Sequence, residues 1–235
     1  HQMWIHEGIT GYFVANEELS FRLQSSGVPE KNIVVTGIPV MPEFINRPNR
    51  LFCAAKYGLN PHRKTLLIMG GGAGLGITSD LVKSLLALQD DLQLIVMTGK
   101  NQSLLNELQN PSLKWPDRLV AIGFTNTVPE LMACADFVIT KPGGLSTSEC
   151  LVMELPMLLI NPIPGQEERN ASYLLQESVA QRADDVATLI YRLRLLLANS
   201  EKLSQMQRNT TLIKKPLAAT TLLHHIKNYL TGHIA

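Results

Sequence analysis

Cysteine is scarce in this 235-residue chain, and the three present, Cys53, Cys134 and Cys150, are odd in number and widely spaced. No CxxC pair occurs, which excludes a disulfide framework and a zinc-finger ligand set. The pattern predicts buried, inert thiols in a reducing compartment. Net charge is also lacking: 21 Lys and Arg against 20 Asp and Glu leave +1. Bulk electrostatics therefore give no reason to expect a nucleic-acid partner. No apolar run reaches the roughly 20 residues of a membrane-spanning helix. No signal peptide, internal repeat or low-complexity tract is visible in the sequence, and its first residue is not Met. The opening HQMWIHEG runs almost at once into strand-like residues, which reads as a piece of a longer protein whose active site is partly elsewhere.

What is present is a regular α/β pattern. With 45% apolar residues, the chain suffices for one large domain or two small ones. Short aliphatic runs at 12–15, 33–36, 66–69, 93–98, 119–122, 137–140 and 157–160 read as strands. From residue 64 on they alternate with helical segments near 77–88, 102–108, 128–134, 146–153 and 167–177. Such alternation predicts βαβ units and a parallel sheet covered on both faces. Residues 39–61 carry prolines at 39, 42, 48 and 61 with little apolar periodicity, so 41–63 reads as a linker or domain crossing. After residue 184 the chain reads as helical to its end, on a stripe of Leu189, Leu193, Leu196 and Leu197.

Open parallel sheets bind ligands beyond the carboxyl ends of their strands, and the distinctive motifs fall there. Gly70 to Gly76, reading GGGAGLG, joins a strand to a helix and includes Gly71, Gly72 and Gly74. Side chains there would keep a phosphate from backbone N–H groups and from the positive helix end. The spacing fits neither the dinucleotide fingerprint nor the Walker motif, and a tight packing turn is the plain alternative. In KPGGLSTSE, Pro142 stops a strand, Gly143 and Gly144 make the bend, and Ser146 fits an N-cap with Glu149 three residues on, as in a capping box. Glu149 thus has two open readings: satisfying its own helix end, or accepting hydrogen bonds from ribose hydroxyls at a crevice.

In PIPGQEERN, Gln166 and Asn170 lie four apart and share a helix face, and paired amides suit sugar hydroxyls. Glu167 sits beside them, though acidic residues in a first turn are ordinary partners of the helix dipole. Gly123-Phe124-Thr125 ends another strand and could offer backbone groups to a base edge, a weak signal by itself. His62 falls in the linker, His224, His225 and His233 read as surface residues of a terminal helix, and no metal site is expected.

At these loops the sequence resembles glycosyltransferase family 28, most closely the branch that glycosylates diacylglycerol (monogalactosyldiacylglycerol synthases and processive diacylglycerol glucosyltransferases). The matching segments are GGGAGLG, GF followed by VPELMACADFVITKPGG, the LSTSE helix start and NPIPGQEERNA, with W-x-H, YFVA and VTGIPV upstream. The resemblance implies a GT-B architecture, here mainly the C-terminal Rossmann-like domain plus the end of the N-terminal domain. Residues 1–40 would then be the remnant of the acceptor domain, 64–215 the UDP-sugar-binding domain and 216–235 a terminal helix. By position, the Gly70–Gly76 loop with Gly71, Gly72 and Gly74 would face the diphosphate, and Phe124 and Thr125 would face uracil. Glu149, on a helix begun by Gly143, Gly144 and Ser146, would hold the ribose, while Gln166, Glu167 and Asn170 would grip the sugar. The resemblance further implies UDP-glucose or UDP-galactose as donor and diacylglycerol or another lipid as acceptor. It implies no cofactor and no metal, inverting displacement, and a cytoplasmic location peripheral to the inner membrane face. No residue here matches the family's general base, which is expected in the N-terminal domain. The family's usual Gly is replaced by Ser178 at one helix end. Rival readings are the N-acetylglucosaminyltransferase of peptidoglycan precursor synthesis, a UDP-sugar epimerase, and a UDP-sugar-binding module without catalysis.

Overall fold

Strand and helix alternate from Lys64 to Ala183 because aliphatic runs of four to six residues are cut by glycine, proline and N-capping side chains. The computed structural model describes residues 5, 6, 8–70, 77–110 and 117–231. Six parallel strands form one sheet: β3 (Lys64–Met69), β4 (Leu92–Gly99), β5 (Leu119–Gly123), β6 (Phe137–Thr140), β7 (Met157–Ile160) and β8 (Ala180–Ala183). A separate parallel pair is made by β1 (Tyr12–Val14) and β2 (Ile33–Val35), in register Tyr12 with Ile33. The large sheet runs β5-β4-β3-β6-β7-β8, so the chain winds one way from β3 and the other way from β6. This is the doubly wound order, with its switch point between β3 and β6.

Side chains alternate across each strand and so divide the core in two. Leu67, Ile95, Val138 and Leu159 face one cluster, formed with α3 (Arg50–Lys56), α6 (Val128–Cys134), α7 (Gly144–Val152) and α8 (Gln166–Gln176). Leu66, Ile68, Leu94, Val96, Ile139 and Leu158 face the other, formed with α4 (Ser79–Leu86), α5 (Gln102–Leu108) and α9 (Val186–Ala198). Burial on both faces explains strands that read as continuous aliphatic runs. Each fully buried leucine or isoleucine stabilises the fold by about 1.5–3 kcal/mol. The three cysteines are free and buried, as their setting predicts, and burial pushes the Cys134 thiol up to about 12.

Three features differ from the sequence reading. The proline-rich stretch carries two helices, α2 (Pro42–Ile45) and α3, whose Phe44, Cys53 and Ala54 enter the core. At four and seven residues they are too short to show a helical period. Strand β8 went unread because AQRA holds only two apolar residues and no β-branched one; it is the sheet's edge. The helical C-terminus is three helices, α9, α10 (Ser200–Ile213) and α11 (Ala218–Leu230). They are divided at Asn199, whose side chain caps α10 through the Lys202 N–H, and around Pro216. Leu189, Leu193 and Leu196 are buried as the stripe predicts.

Helix α11 returns to the first strand pair. Tyr229 donates its hydroxyl to Thr10 Oγ1 at 3.2 Å, and Phe13 meets the His225 ring edge-on with centroids 6.5 Å apart. Lys215 pairs with Glu17 of α1 (Glu17–Ser25) at 2.9 Å. Gly37, at φ 83°, lies so close that a Cβ would collide with Lys215 Cβ. The two passages of chain between strand pair and large sheet therefore touch.

Candidate functional site

The turn after β6 and the start of α8 are built against each other. A Cβ on Gly143 would lie 3.9 Å from Glu167 Oε1, and one on Gly144 would lie 3.8 Å from Asn170 Nδ2 and 4.0 Å from Gln166 Nε2. Asn170 Nδ2 donates to the Pro142 carbonyl at 2.9 Å. Gln166 and Asn170 do share a face, one turn apart, and that face looks at the glycine pair. Glu167 is turned back: its Oε2 accepts from the Ile163 N–H at 2.8 Å and closes the loop after β7. Gly165, at φ 98° and ψ −102°, allows the turn into α8, a conformation that a side chain would strain.

The capping-box reading is overturned. Helix α7 begins at Gly144 with Gly143 as N-cap, and no side chain caps it. Ser146 lies inside the first turn, and Glu149 is not three residues from the cap but nearly two turns in. Within the helix, Thr147 Oγ1 donates back to the Gly143 carbonyl at 2.9 Å and Ser148 Oγ to the Gly144 carbonyl at 2.8 Å, so neither hydroxyl caps the helix start. Among the described residues no side chain accepts from the first-turn N–H groups of α7, an arrangement suited to an anion.

Freed from capping, Glu149 is half-buried on α7 with no hydrogen-bond or ion-pair partner among the described residues. Burial alone pushes its carboxyl from the ordinary 4.5 up to about 7. A carboxylate held partly out of water without a donor is costly unless something else donates to it. Hydroxyl groups of a ligand would do so.

Phe124 and Thr125 follow β5, the opposite edge strand. Phe124 is 77% exposed, while Thr125 Oγ1 is held 2.8 Å from Thr127 Oγ1. Among the described residues, no hydrogen bond or ion pair joins this loop to residues 143–170. Gly71, Gly72 and Gly74 lie outside the described residues; Gly70, at the end of β3, donates to the Met97 carbonyl. Thus Gly143, Gly144, Gln166, Glu167 and Asn170 are brought together, with Ser146 and Glu149 on the helix leaving that cluster.

Sequence reasoning missed the other wall. A groove beside Gly144 and Asn170 is also lined by Asn16, Ile38, Tyr173 and Lys215. Ile38 Cδ1 would stand 3.1 Å from a Cβ on Gly144. Only the VTGIPV segment hinted at Ile38; nothing marked Tyr173 or Lys215. Lys215 is not a free cation, because Glu17 neutralises it and is itself held below the usual carboxylate range, by that hydrogen bond first.

The fold matches several solved structures at identities that speak to architecture alone. The S. aureus MnaA–UDP co-structure aligns with TM-score 0.72 and 17% identity over 94% of this chain and 61% of that one. WaaG, a glycosyltransferase involved in lipopolysaccharide biosynthesis, aligns with TM-score 0.59 and 17% identity over 88% of this chain and 58% of that one. The chain has the expected GT-B, Rossmann-like α/β architecture. In sequence it is 33% identical over 227 residues to the processive diacylglycerol beta-glucosyltransferase of Bacillus pumilus, covering 96% of this chain and 59% of that protein. It is 34% identical over 227 residues to the Bacillus cereus (strain ATCC 10987) protein of the same name, covering 96% of this chain and 58% of that protein. The chain thus spans somewhat over half the length of these relatives. Residues 1–40 match monogalactosyldiacylglycerol (MGDG) synthase. Residues 65–222 match the glycosyltransferase family 28 C-terminal domain, and the chain belongs to that family.

Proposed function

We propose that this chain is the donor-binding part of a UDP-sugar-dependent hexosyltransferase that delivers glucose or galactose to diacylglycerol or a similar lipid. The observation that carries the reading is Glu149: a half-buried carboxylate lacking a donor among the described residues, on the helix that leaves the switch-point turn. Two neighbouring ribose hydroxyls would supply the missing donors. The diphosphate would lie toward Gly71, Gly72 and Gly74 and the uncapped start of α7. The sugar would lie toward Gln166 and Asn170, with Glu167 shaping the loop, and uracil toward Phe124 and Thr125.

The chemistry is a direct displacement. An acceptor hydroxyl forms its bond to the anomeric carbon on one face while the bond to the diphosphate oxygen breaks on the other, so configuration inverts. UDP leaves with the bonding electrons, and helix-end and loop N–H groups stabilise its charge, as in an oxyanion hole. The hydroxyl proton passes to a general base, which we place in the part of the relatives' length outside this chain. No metal or cofactor takes part in this scheme. No helix among the described residues is long and apolar enough to cross a membrane; we propose peripheral contact with the cytoplasmic leaflet, where the lipid acceptor is found.

The test uses the full-length protein with radiolabelled UDP-glucose and UDP-galactose, diacylglycerol vesicles and a chelator. Labelled glycolipid is expected in the presence of chelator. UDP binding with no lipid product from either donor would instead favour a binding module. Glu149→Ala is expected to weaken UDP binding by roughly 1–3 kcal/mol, the value of an unpaired buried polar partner.

A further inference from the structure

The loop after β5 is joined, through side chains, to the helix that precedes β3. Thr125 Oγ1 and Thr127 Oγ1 are 2.8 Å apart, and the Thr127 N–H donates to Thr125 Oγ1 at 3.1 Å. Thr127 Oγ1 is 2.9 Å from the Tyr57 hydroxyl, which is 2.8 Å from Glu130 Oε2. Lys56 Nζ donates to that same carboxylate oxygen at 2.6 Å. Lys56 is the last residue of α3, Tyr57 is its C-cap, and Glu130 lies in the first turn of α6. Because β5 is an edge strand, its loop lacks a neighbouring strand on one side, and this chain of side chains supplies the support.

Hydrogen counting gives the chain a direction. The Lys56 hydrogen bond first, and the Tyr57 one next, hold the Glu130 carboxyl below its usual range, so it is ionised and only accepts. Burial above all keeps the Tyr57 phenol protonated. Its single hydrogen goes to Glu130, so Thr127 must donate to Tyr57, and Thr125 must donate to Thr127. Thr125 Oγ1 has then spent its hydrogen inward and accepts from the Thr127 N–H. One lone pair remains, and the oxygen can act outward only as an acceptor.

We propose that Tyr57 and Glu130 are positioning residues that fix Thr125 as a hydrogen-bond acceptor toward the nucleobase. The loop would thereby favour a pyrimidine with a ring N–H, uracil, over one with a bare ring nitrogen, cytosine. The proposal rests on the reading of residues 124 and 125 as the base loop, and it adds a side-chain specificity device to it. A purely structural role, fastening α3 to α6, would leave base preference untouched.

The test is calorimetric titration of full-length protein with UDP and CDP, alongside thermal unfolding, for wild type and the variants Tyr57→Phe, Glu130→Gln and Phe124→Ala. Tyr57→Phe is expected to lower UDP affinity roughly threefold to tenfold, the worth of about one hydrogen bond, with CDP affinity level or improved. Glu130→Gln, whose amide can donate toward Tyr57 and reverse the chain, is expected to narrow the UDP-to-CDP ratio further. An unchanged ratio in both variants overturns the proposal, whatever happens to the unfolding temperature. If Phe124→Ala weakens UDP while that ratio stays fixed, the base loop stands and only the relay fails. If Phe124→Ala leaves both nucleotides unaffected, the base-loop reading fails and the relay with it.

Discussion

Asn170 reaches from the first turns of α8 to the Pro142 carbonyl, 2.9 Å away, and ties that helix to the turn that closes β6. Pro142 is buried, so its carbonyl depends on this donor.

Replacing Asn170 with Ala is expected to cost about 1 kcal/mol of stability, and Asn170→Asp more, because a carboxylate cannot donate to a carbonyl and adds a charge beside it. Thermal unfolding at neutral pH ranks the three proteins. Asn170→Ala as stable as wild type would show that the bond contributes nothing. If the sugar lies where we propose, both variants should also bind UDP-sugar more weakly than they bind UDP, relative to wild type.

Glu149 sets a pH dependence whose sign follows from its carboxyl standing near 7 in the fold against an ordinary 4.5. Between these values the folded protein holds a proton that the unfolded chain has lost, so stability falls as pH rises from about 4.5 to about 7. Glu149→Gln should remove that decline and be more stable than wild type at pH 8. Its UDP affinity should be lower, because ribose hydroxyls donate best to an ionised carboxylate. Wild-type affinity, compared with Glu149→Gln at each pH, should rise toward pH 7 and then level. Parallel stability curves for the two proteins from pH 5 to 8 would remove the burial argument.

Gly37 at φ 83° stands where an added Cβ would strike Lys215. Gly37→Ala combines a left-handed backbone with a collision against another chain segment, and should cost more than about 2 kcal/mol. Gly58→Ala, also at positive φ but with open space around it, is the control and should cost about 1 kcal/mol. Equal losses in urea denaturation would mean that Lys215 simply moves aside.

The sequence disclosed the large sheet well because its strands are buried on both faces and so announce themselves as aliphatic runs. It disclosed Gln166 and Asn170 for a different reason, the fixed period of a helix. It misled at Ser146, where capping preference ranks Ser above Gly but the turn made by Gly143 and Gly144 puts the N-cap three residues earlier, at Gly143. Residue preference loses there to a tertiary demand for close approach to α8. Ser178 is similar: it sits at φ 56° where the family often has Gly, and the helix end keeps its form through the Val179 N–H to Leu174 carbonyl bond. What no local pattern could disclose is the link between Tyr57 and Thr127, 70 positions apart, or the groove wall at Lys215. Those depend on which helices pack together, and the relevant side chains are common types in unremarkable settings.

The contact between Gly37 and Lys215 places both chain crossings at a single spot. A body joined to another at two distant points can only fold about the line between them, whereas one joined at adjoining points can swivel. The strand pair with its returning α11 is mounted in the second way. Ile38, one residue on from Gly37, rests near Gly144, so the pivot and the sugar end of the proposed site adjoin.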